Sequence, residues 1–342
     1  MDINVDGSSG YEVRFLPSDS TWDGIDRSGV VITDSNLHSI YRESISTERL
    51  VVIGAGEASK SPEVYLSVVD QVLSLGLKRN GVIWAFGGGV VGDLAGFVAA
   101  TVHRGVDFVQ VPTSLLAMVD SSVGGKVGID LRHGKNLLGA FHNPKEVRLS
   151  IDLLKTLPPE HFTNGMAEVI KYGWIWDVEL LDNLKSERLS IESTDLQEVV
   201  ARCISIKRDV VEADFEEKSG ARAILNFGHT VGHALETLDG YSNLLHGEAI
   251  AIGMVAEAAI AYRAGISEID PFDVAEIFDL YDLPVRPKSE IELSRLIELM
   301  TGDKKNIGDG LSLSLVTVPG ECKLCHGVEP DMVQSVLADL WT

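Results

Sequence analysis

The chain has 342 residues, 45% of them hydrophobic, which is too long for one simple core and predicts two domains. No apolar run approaches the roughly 20 residues that span a membrane, and the N-terminal segment MDINVDGSSGYEVRF is acidic and polar, unlike a signal peptide. We therefore expect a soluble, cytoplasmic protein without a membrane partner. The net charge of −22 repels phosphate backbones, which argues against nucleic acid as a partner.

Strand and helix patterns alternate through the first half of the chain. Buried strands are predicted at residues 29–34 (GVVITD), 49–56 (RLVVIGAG), 81–89 (GVIWAFGGG) and 106–113 (VDFVQVPT). Residues 61–77 have helical spacing, with Pro62 suited to a first turn. This alternation predicts a parallel sheet in a Rossmann-like, nucleotide-binding α/β domain over residues 1–155, with ligands at the carboxyl ends of the strands.

The second half of the chain is dominated by helical spacing. Five segments show it: residues 158–176, 195–217, 221–238, 246–265 and 270–281. A short β excursion is predicted at residues 311–318 (LSLSLVTV). We therefore predict a mainly α-helical domain over residues 156–342.

The segment GGGVVGD (residues 87–93) contains G-x-G-x-x-G between a predicted strand and a predicted helix. Glycines in that context let backbone N–H groups approach a pyrophosphate at a helix N-terminus, so the segment indicates a dinucleotide. Asp34 and Asn36 follow the first predicted strand, and Glu57 and Lys60 follow the second. An acidic group there can accept ribose hydroxyls. The alternative for each is a helix cap or a solvated turn.

Residues 111–136 (VPTSLLAMVDSSVGGKVGIDLRHGKN) are dense in polar side chains, including Asp120, Lys126, Lys135 and Asn136. A Gly-Gly-Lys turn is suited to an anion, because it offers backbone donors and an ammonium group. The alternative is an ordinary polar loop. Two lysines beside glycines in a chain of such negative charge favour the anion site.

Arg222, Asn226, His229 and His233 recur every three or four residues. We predict that they form one polar stripe along a single helix that is otherwise apolar. Such a stripe is unfavourable to bury unless its groups have partners or a function.

The same half offers the donors of a metal site. Glu168 and Lys171 share a helix face at i, i+3, and two histidines with a carboxylate are a common zinc set with an open fourth position. His229 and His233 have the spacing of the histidines in H-E-x-x-H helices. His246, which opens another apolar helix, is the alternative ligand. The spacing leaves open which two histidines bind.

The segment CKLCH, Cys322 to His326, matches the C-x-x-C-H pattern of c-type haem attachment. That chemistry requires export, and the N-terminal segment does not resemble an export signal. We therefore expect neither haem nor zinc at this segment, and we expect the cysteines to be reduced.

Taken together, the motifs resemble those of the 3-dehydroquinate synthase family of the sugar-phosphate cyclase superfamily. The matching segments follow the family's order over nearly the whole chain: GGGVVGDLAGFVAAT, RGVDFVQVPTSLLAMVDSSVGGKVGIDL, GKNLLGAF, NGMAEVIKYG, LNFGHTVGHALE, HGEAIAIGM and DKK. The resemblance implies a dehydroquinate synthase-like fold, with NAD in the N-terminal domain and a Zn²⁺- or Co²⁺-binding, substrate-binding C-terminal domain.

The resemblance also implies a reaction of the shikimate pathway, which supplies aromatic amino acids. A carbon–oxygen lyase of this family converts 3-deoxy-D-arabino-heptulosonate 7-phosphate to 3-dehydroquinate and phosphate. The implied steps are a transient NAD-dependent oxidation, phosphate elimination, re-reduction and an intramolecular aldol closure.

The resemblance implies roles for particular residues. The implied metal ligands are Glu168, His229 and His246, and the implied catalytic residues are His233, Lys171, Asp120, Arg222 and Asn226. The implied cofactor contacts are Asp34, Asn36, Glu57, Lys60, Gly88, Gly89, Asp93, Thr113, Ser114, Lys126, Lys135, Thr156 and Leu157. The implied substrate contacts are Asp120, Lys126, Lys135, Asn136, Lys171, Lys207, Glu217, Arg222, Asn226, His233 and one or both of Lys304 and Lys305. Arg104 matches an arginine that reaches the phosphate site of a neighbouring subunit, so a homodimer is implied.

The sequence departs from the family pattern at one position. The family places a glutamate ten residues after the lysine matching Lys207 and four before the arginine matching Arg222. Counting forward gives Glu217, whereas counting back gives Lys218. We expect the extra residue to form a bulge after Glu217.

Several other functions are alternatives to this one. An aminodehydroquinate synthase or another sugar-phosphate cyclase would share most motifs, although DSSVGGK and GKN favour the dehydroquinate type over heptulose cyclases. A metal-dependent alcohol dehydrogenase would consume NAD⁺ stoichiometrically. An inactive nucleotide-binding regulator is disfavoured, because the predicted metal and basic residues are all present.

Overall fold

The computed structural model describes residues 2–6, 10–21, 23, 29–45, 47–214, 220–240, 243–301 and 310–342. The chain divides into two compact units. The first consists of Met1–Phe162 and Leu196–Arg208, and the second of Thr163–Asp195 and Asp209–Thr342. The domain division at residues 155 and 156 stays a prediction.

The strands are β1 (Asp2–Val5), β2 (Tyr11–Phe15), β3 (Val30–Asp34), β4 (Leu50–Ile53), β5 (Val82–Gly87), β6 (Asp107–Pro112), β7 (Lys126–Leu131), β8 (Gly134–Phe141), β9 (Glu146–Leu149), β10 (Leu311–Val318) and β11 (Glu321–Val328). The helices are α1 (Ser35–Tyr41), α2 (Pro62–Ser74), α3 (Gly89–Thr101), α4 (Pro159–Ile175), α5 (Val178–Ser186), α6 (Leu196–Ala213), α7 (His229–Leu238), α8 (His246–Arg263), α9 (Pro271–Leu280), α10 (Leu293–Thr301) and α11 (Pro330–Trp341).

A seven-stranded sheet forms the centre of the first unit. Its strand order is β1-β2-β9-β6-β5-β3-β4. The β1–β2 pair is antiparallel and the other neighbours run parallel. Strands β3, β5 and β6 are buried along almost their whole length, as expected for parallel strands covered on both faces. The predicted Rossmann-like sheet is confirmed, with β3 to β6 at the four predicted strand positions.

The predicted anion-binding segment is not wholly a loop. Residues Lys126–Leu131 form β7, which pairs antiparallel with β8 in a separate two-stranded sheet. Apolar side chains of β7, including Val127 and Ile129, join the buried core formed by β3, β5 and α3. The hairpin is thereby fixed against the main sheet's core.

The second unit is mainly helical. Helix α8 is buried along almost its full length, and its side chains share a core with α7, α10, α11 and the β10–β11 hairpin. The hairpin confirms the predicted β excursion. Its second strand carries CKLCH, with Cys322 paired opposite Val316 and Cys325 opposite Leu313. Among the described helices, none is both long enough and apolar enough to cross a membrane.

Candidate active site

Three side chains from three helices of the second unit converge. Glu168 lies on α4, His229 is the first residue of α7, and His246 is the first residue of α8. Glu168 Oε1 lies 3.4 Å from His229 Nε2 and 3.7 Å from His246 Nε2. The three donor atoms all lie within 4.8 Å of one another. Two imidazole nitrogens and a carboxylate oxygen at this spacing are a donor set for a divalent metal ion.

The chain breaks its helical path just before His229. Gly228 has a φ of 80°, a left-handed conformation that favours glycine, and a Cβ at this position would overlap atoms of α8. The prediction of one continuous stripe from Arg222 to His233 is therefore wrong. Ala221–Asn226 forms a separate 3₁₀ helix, and α7 begins only after the glycine.

Backbone and carboxylate oxygens orient the two imidazoles. His229 Nδ1 lies 3.1 Å from the carbonyl oxygen of Phe227. His246 Nδ1 lies 3.5 Å from Glu236 Oε2, at the outer limit of a hydrogen bond. With Nδ1 as the donor in each ring, Nε2 is the nitrogen that faces Glu168, and this nitrogen must lose any proton it carries before it can bind a metal ion.

The two histidines differ in their protonation. Burial lowers the pKa of His229 well below its usual value, and the positive charge of Lys171 lowers it further. Burial also acts to lower the pKa of His246, but hydrogen bonds and charges from Glu168 and Glu236 outweigh it and raise the pKa to about 9. In the metal-free chain at neutral pH, His229 is therefore neutral and His246 is protonated.

Two further predicted residues lie beside these three. Lys171 Nζ forms an ion pair with Glu168, and both side chains are almost fully buried. The His233 ring centroid lies 5.2 Å from that of His229 and 6.1 Å from that of His246. His233 is exposed. An accessible imidazole next to a buried donor set is suited to proton transfer.

The predicted anion-binding residues of this half lie in the 3₁₀ helix before α7. Arg222 is buried, and its backbone N–H lies 3.5 Å from Asp214 Oδ2, which also accepts the N–H of Gly220 at 3.0 Å. Asn226 is partly buried. The residues Glu217, Lys304 and Lys305, with the predicted bulge after Glu217, lie outside the described residues.

In the first unit, the buried ammonium group of Lys60 is the centre of a polar cluster. Its Nζ lies 2.8 Å from Asp93 Oδ2, 2.5 Å from Asn136 Oδ1 and 3.8 Å from Glu57 Oε1. Lys135 Nζ lies 3.9 Å from the same Glu57 oxygen. Burial alone would lower the pKa of Lys60, but the charges of Asp93 and Glu57 outweigh it and raise that pKa. The structure thus groups four residues predicted to contact cofactor with Asn136, which was predicted to contact substrate.

The glycine turn lies between β5 and α3. Gly88 is the N-cap residue of α3 and has no side chain to offer the first turn. A Cβ on Gly88 would lie 3.3 Å from Ser114 Oγ, and one on Gly89 would lie 3.2 Å from Ser121 Oγ. Thr113 donates its N–H to the carbonyl oxygen at the end of β5 (3.1 Å). Small residues therefore keep open a turn at the carboxyl end of a parallel strand, where α/β folds bind phosphates.

Other predicted cofactor residues make local contacts. Asp34 caps α1 by accepting the N–H groups of Asn36 and the residue after it, at 2.9 and 3.0 Å. This is the alternative role that the sequence left open. Thr156 Oγ1 lies 2.9 Å from the hydroxyl of Tyr41, and Leu157 follows directly.

The remaining predicted substrate residues of the first unit lie on different elements. Lys207 Nζ donates to the carbonyl oxygen and to Oδ1 of Asp120, both at 2.6 Å. Lys126 is exposed at the start of β7. Arg104 is exposed and has a φ of 63°, next to His103 with a φ of 52°. Two consecutive left-handed residues other than glycine are uncommon.

Sequence reasoning missed two acidic residues. Asp130 accepts the backbone N–H of Asn136 at 2.8 Å, and nothing in the sequence distinguished it from other polar residues of its segment. Glu236 is buried and forms a second possible ligand group with His233 and His246. Its position three residues after His233 puts it on the same helix face, and that spacing could have revealed it.

Comparison with known proteins identifies the class. The fold matches the solved structure of 2-epi-5-epi-valiolone synthase from Streptomyces hygroscopicus subsp. jinggangensis 5008, which has NAD⁺ and Zn²⁺ bound. The match has a TM-score of 0.87 and 25% sequence identity, and it covers 96% of each chain. The fold is therefore that of the sugar-phosphate cyclases.

The sequence identifies the family within that class. Models of the N-terminal and C-terminal parts of 3-dehydroquinate synthase match residues 50–164 and 165–306. The 3-dehydroquinate synthase of Pelobacter propionicus is 46% identical over 288 residues, which cover 81% of this chain and 80% of the relative. That of Xanthomonas axonopodis pv. citri is 41% identical, and the match covers 98% of this chain and 97% of the relative. The chain belongs to the 3-dehydroquinate synthase family, as its motifs predicted.

Proposed function

We propose that this chain converts 3-deoxy-D-arabino-heptulosonate 7-phosphate to 3-dehydroquinate and inorganic phosphate, as a carbon–oxygen lyase. The observation that carries the proposal is the convergence of Glu168, His229 and His246 in a chain of the 3-dehydroquinate synthase family. The overall conversion is redox-neutral, because the hydroxyl that is first oxidised is later reduced again.

The donor set fits a divalent cation. His229 is held neutral by burial, its Nε2 is free of the Phe227 hydrogen bond, and Glu168 supplies a buried anionic oxygen. Zn²⁺ is supported by its presence in the valiolone synthase of the same fold, and Co²⁺ accepts similar donors. When bound here, the cation would serve as a Lewis acid for a substrate oxygen.

The first unit fits a dinucleotide. The open turn at Gly88 and Gly89 would receive the pyrophosphate at the start of α3, and the carboxylates of Asp34 and Glu57 would accept ribose hydroxyls. Asp93 fixes the Lys60 ammonium group beside them. When bound, NAD⁺ would supply the reversible oxidation that the redox-neutral conversion requires.

The substrate is an anion and the chain carries a net charge of −22. Long-range attraction is therefore unavailable, and binding must come from local cations. In the second unit, Lys171 and Arg222 are buried cations, suited to hold carboxylate and phosphate groups. His233 would accept the proton lost when a hydroxyl becomes a ketone and pass it to solvent, because its imidazole is exposed.

The remaining substrate contacts are proposed from the family pattern. They are Asp120, Lys126, Lys135, Asn136, Lys207 and Asn226. A homodimer in the cytoplasm is proposed on the same basis, with exposed Arg104 completing the phosphate site of the partner. Sedimentation as a monomer at micromolar concentration would contradict the dimer.

Product identification tests the function. The purified chain, loaded with Zn²⁺ and NAD⁺, should yield 3-dehydroquinate and an equal amount of phosphate. Faster turnover of the amino analogue of the substrate would favour an aminodehydroquinate synthase. Accumulation of a ketone with an equal amount of NADH would favour an alcohol dehydrogenase. Absence of turnover of both the heptulosonate phosphate and its amino analogue would contradict the proposed class.

A further inference from the structure

Both imidazoles of the proposed metal centre are the first residues of their helices. His229 opens α7 and His246 opens α8. The N–H groups in the first turn of a helix have no partner within that helix. The position of each imidazole therefore depends on what accepts those N–H groups.

Glu257 holds the start of α7. Its side chain is fully buried on α8 and accepts three backbone N–H groups, from Gly228 at 2.7 Å, Thr230 at 3.1 Å and Val231 at 3.2 Å. A carboxylate at a helix N-terminus is also favoured by the helix dipole. Glu257 lies three helical turns after His246 and hence on the same side of α8. One side chain therefore ties the first turn of α7, where His229 lies, to the helix that carries His246.

Asn164 holds the start of α8 in the same way. Its buried side-chain oxygen accepts the N–H of Gly247, the residue after His246. A Cβ on Gly247 would overlap the backbone of Asn164, so the two helices touch there without intervening side chains. Asn164 lies four residues before Glu168 and shares its face of α4.

We propose that Asn164 and Glu257 are positioning residues of the metal centre, which set the separation of Glu168, His229 and His246. The inference rests on the proposed metal function of those three residues. Neither positioning residue supplies a donor atom to the three-residue ligand group. Each acts through the start of a neighbouring helix, so its removal changes the distances between ligands without removing a ligand.

At both residues, a substitution can remove a hydrogen-bond acceptor without removing a metal ligand. In Glu257→Gln the amide nitrogen must face at least one of the N–H donors, so one hydrogen bond is lost at nearly constant volume. Asn164→Leu removes the acceptor, whereas Asn164→Asp keeps it. Val333→Ala is the matched control, because Val333 is fully buried on α11, outside the three helices that carry the ligands, and its truncation lowers stability without removing an acceptor at a helix start of the site.

The readout is the Zn²⁺ dissociation constant, measured by competition with a chromophoric chelator, together with the absorption spectrum of bound Co²⁺. We expect Glu257→Gln and Asn164→Leu to weaken Zn²⁺ binding about 10- to 100-fold and to shift the Co²⁺ bands. Asn164→Asp should bind within about threefold of wild type, since the acceptor is kept. Val333→Ala should bind as wild type does, despite a lower melting temperature.

Equal Zn²⁺ affinity in wild type, Glu257→Gln and Asn164→Leu would overturn the inference and leave the metal centre intact. If Glu257→Gln does not fold, the comparison of Asn164→Leu with Asn164→Asp tests the proposal. Equal Zn²⁺ affinity in these two variants would overturn it. A wild-type chain that binds no Zn²⁺ would overturn both the metal centre and this inference.

Discussion

Replacing Lys171 by methionine tests whether the buried Glu168 carboxylate depends on a cationic partner. The two side chains form an ion pair and are 1% and 0% exposed. Methionine keeps most of the lysine stem but removes the charge. Breaking a buried pair by removing one partner destabilises a protein by about 3–5 kcal/mol, because the other charge stays buried. Protonated His246 remains 3.7 Å from Glu168 as a second positive partner, so the loss should lie towards the lower end of that range.

That loss should be visible as a lower melting temperature of the metal-free chain. For a folding unit of this size, 1 kcal/mol corresponds to about 2–4 °C, so the variant should melt about 6–20 °C below wild type. Circular dichroism after chelation measures the difference. Saturating Zn²⁺ should reduce the difference in melting temperature between wild type and Lys171→Met, because the cation gives Glu168 another positive partner. The exposed Lys323, changed to methionine, serves as the control and should hardly shift the melting temperature.

Two results would refute this reasoning. One is a metal-free Lys171→Met chain that melts within about 2 °C of wild type, a shift that corresponds to only about 1 kcal/mol. The other is a difference in melting temperature that Zn²⁺ leaves unchanged. The first would mean that Glu168 is compensated without Lys171, and the second that no cation binds beside it.

Four further predictions follow from the same structure. Asp93→Asn should weaken NAD⁺ binding about tenfold or more in a calorimetric titration while leaving Zn²⁺ affinity unchanged. The reason is that the buried ammonium group of Lys60 loses one of its anionic partners. Chelation should abolish activity and Zn²⁺ or Co²⁺ should restore it; His229→Ala should lose bound metal, whereas His233→Ala should retain it and lose only turnover. Burial raises the pKa of the Cys322 thiol, so the unreactive protonated form persists to higher pH and iodoacetamide should label it slowly even at about pH 9. Changing both Cys322 and Cys325 to serine should leave phosphate release and zinc content as in wild type, and loss of a metal ion in that variant would show that CKLCH is a metal site.

Four of the seven strands of the main sheet, β3 to β6, were predictable because their signals are local, whereas β1, β2 and β9 were not predicted. An apolar run followed by glycines and a helical pattern can form only a few structures, and β5, the Gly88 turn and α3 follow that pattern. The metal ligands were harder to predict from the sequence. Spacing suggested His229 with His233 but left His246 open as an alternative ligand, and only the family resemblance selected His246, which is distant in sequence.

The break before α7 could not be found from periodicity. Polar residues recur at helical intervals on both sides of Gly228, yet the contact between its backbone and α8 is a tertiary constraint. The cluster around Lys60 has the same origin. Asn136 joins it across 76 residues of sequence through a 2.5 Å hydrogen bond, which sequence spacing cannot show.

The most direct test of the account counts turnovers per cofactor. The zinc-loaded chain is given excess 3-deoxy-D-arabino-heptulosonate 7-phosphate and an amount of NAD⁺ equal to the enzyme, and released phosphate is followed. Phosphate should be released in large excess over NAD⁺, without lasting absorbance from reduced nicotinamide. Phosphate release that stops after one equivalent, or NADH that accumulates in step with product, would contradict it.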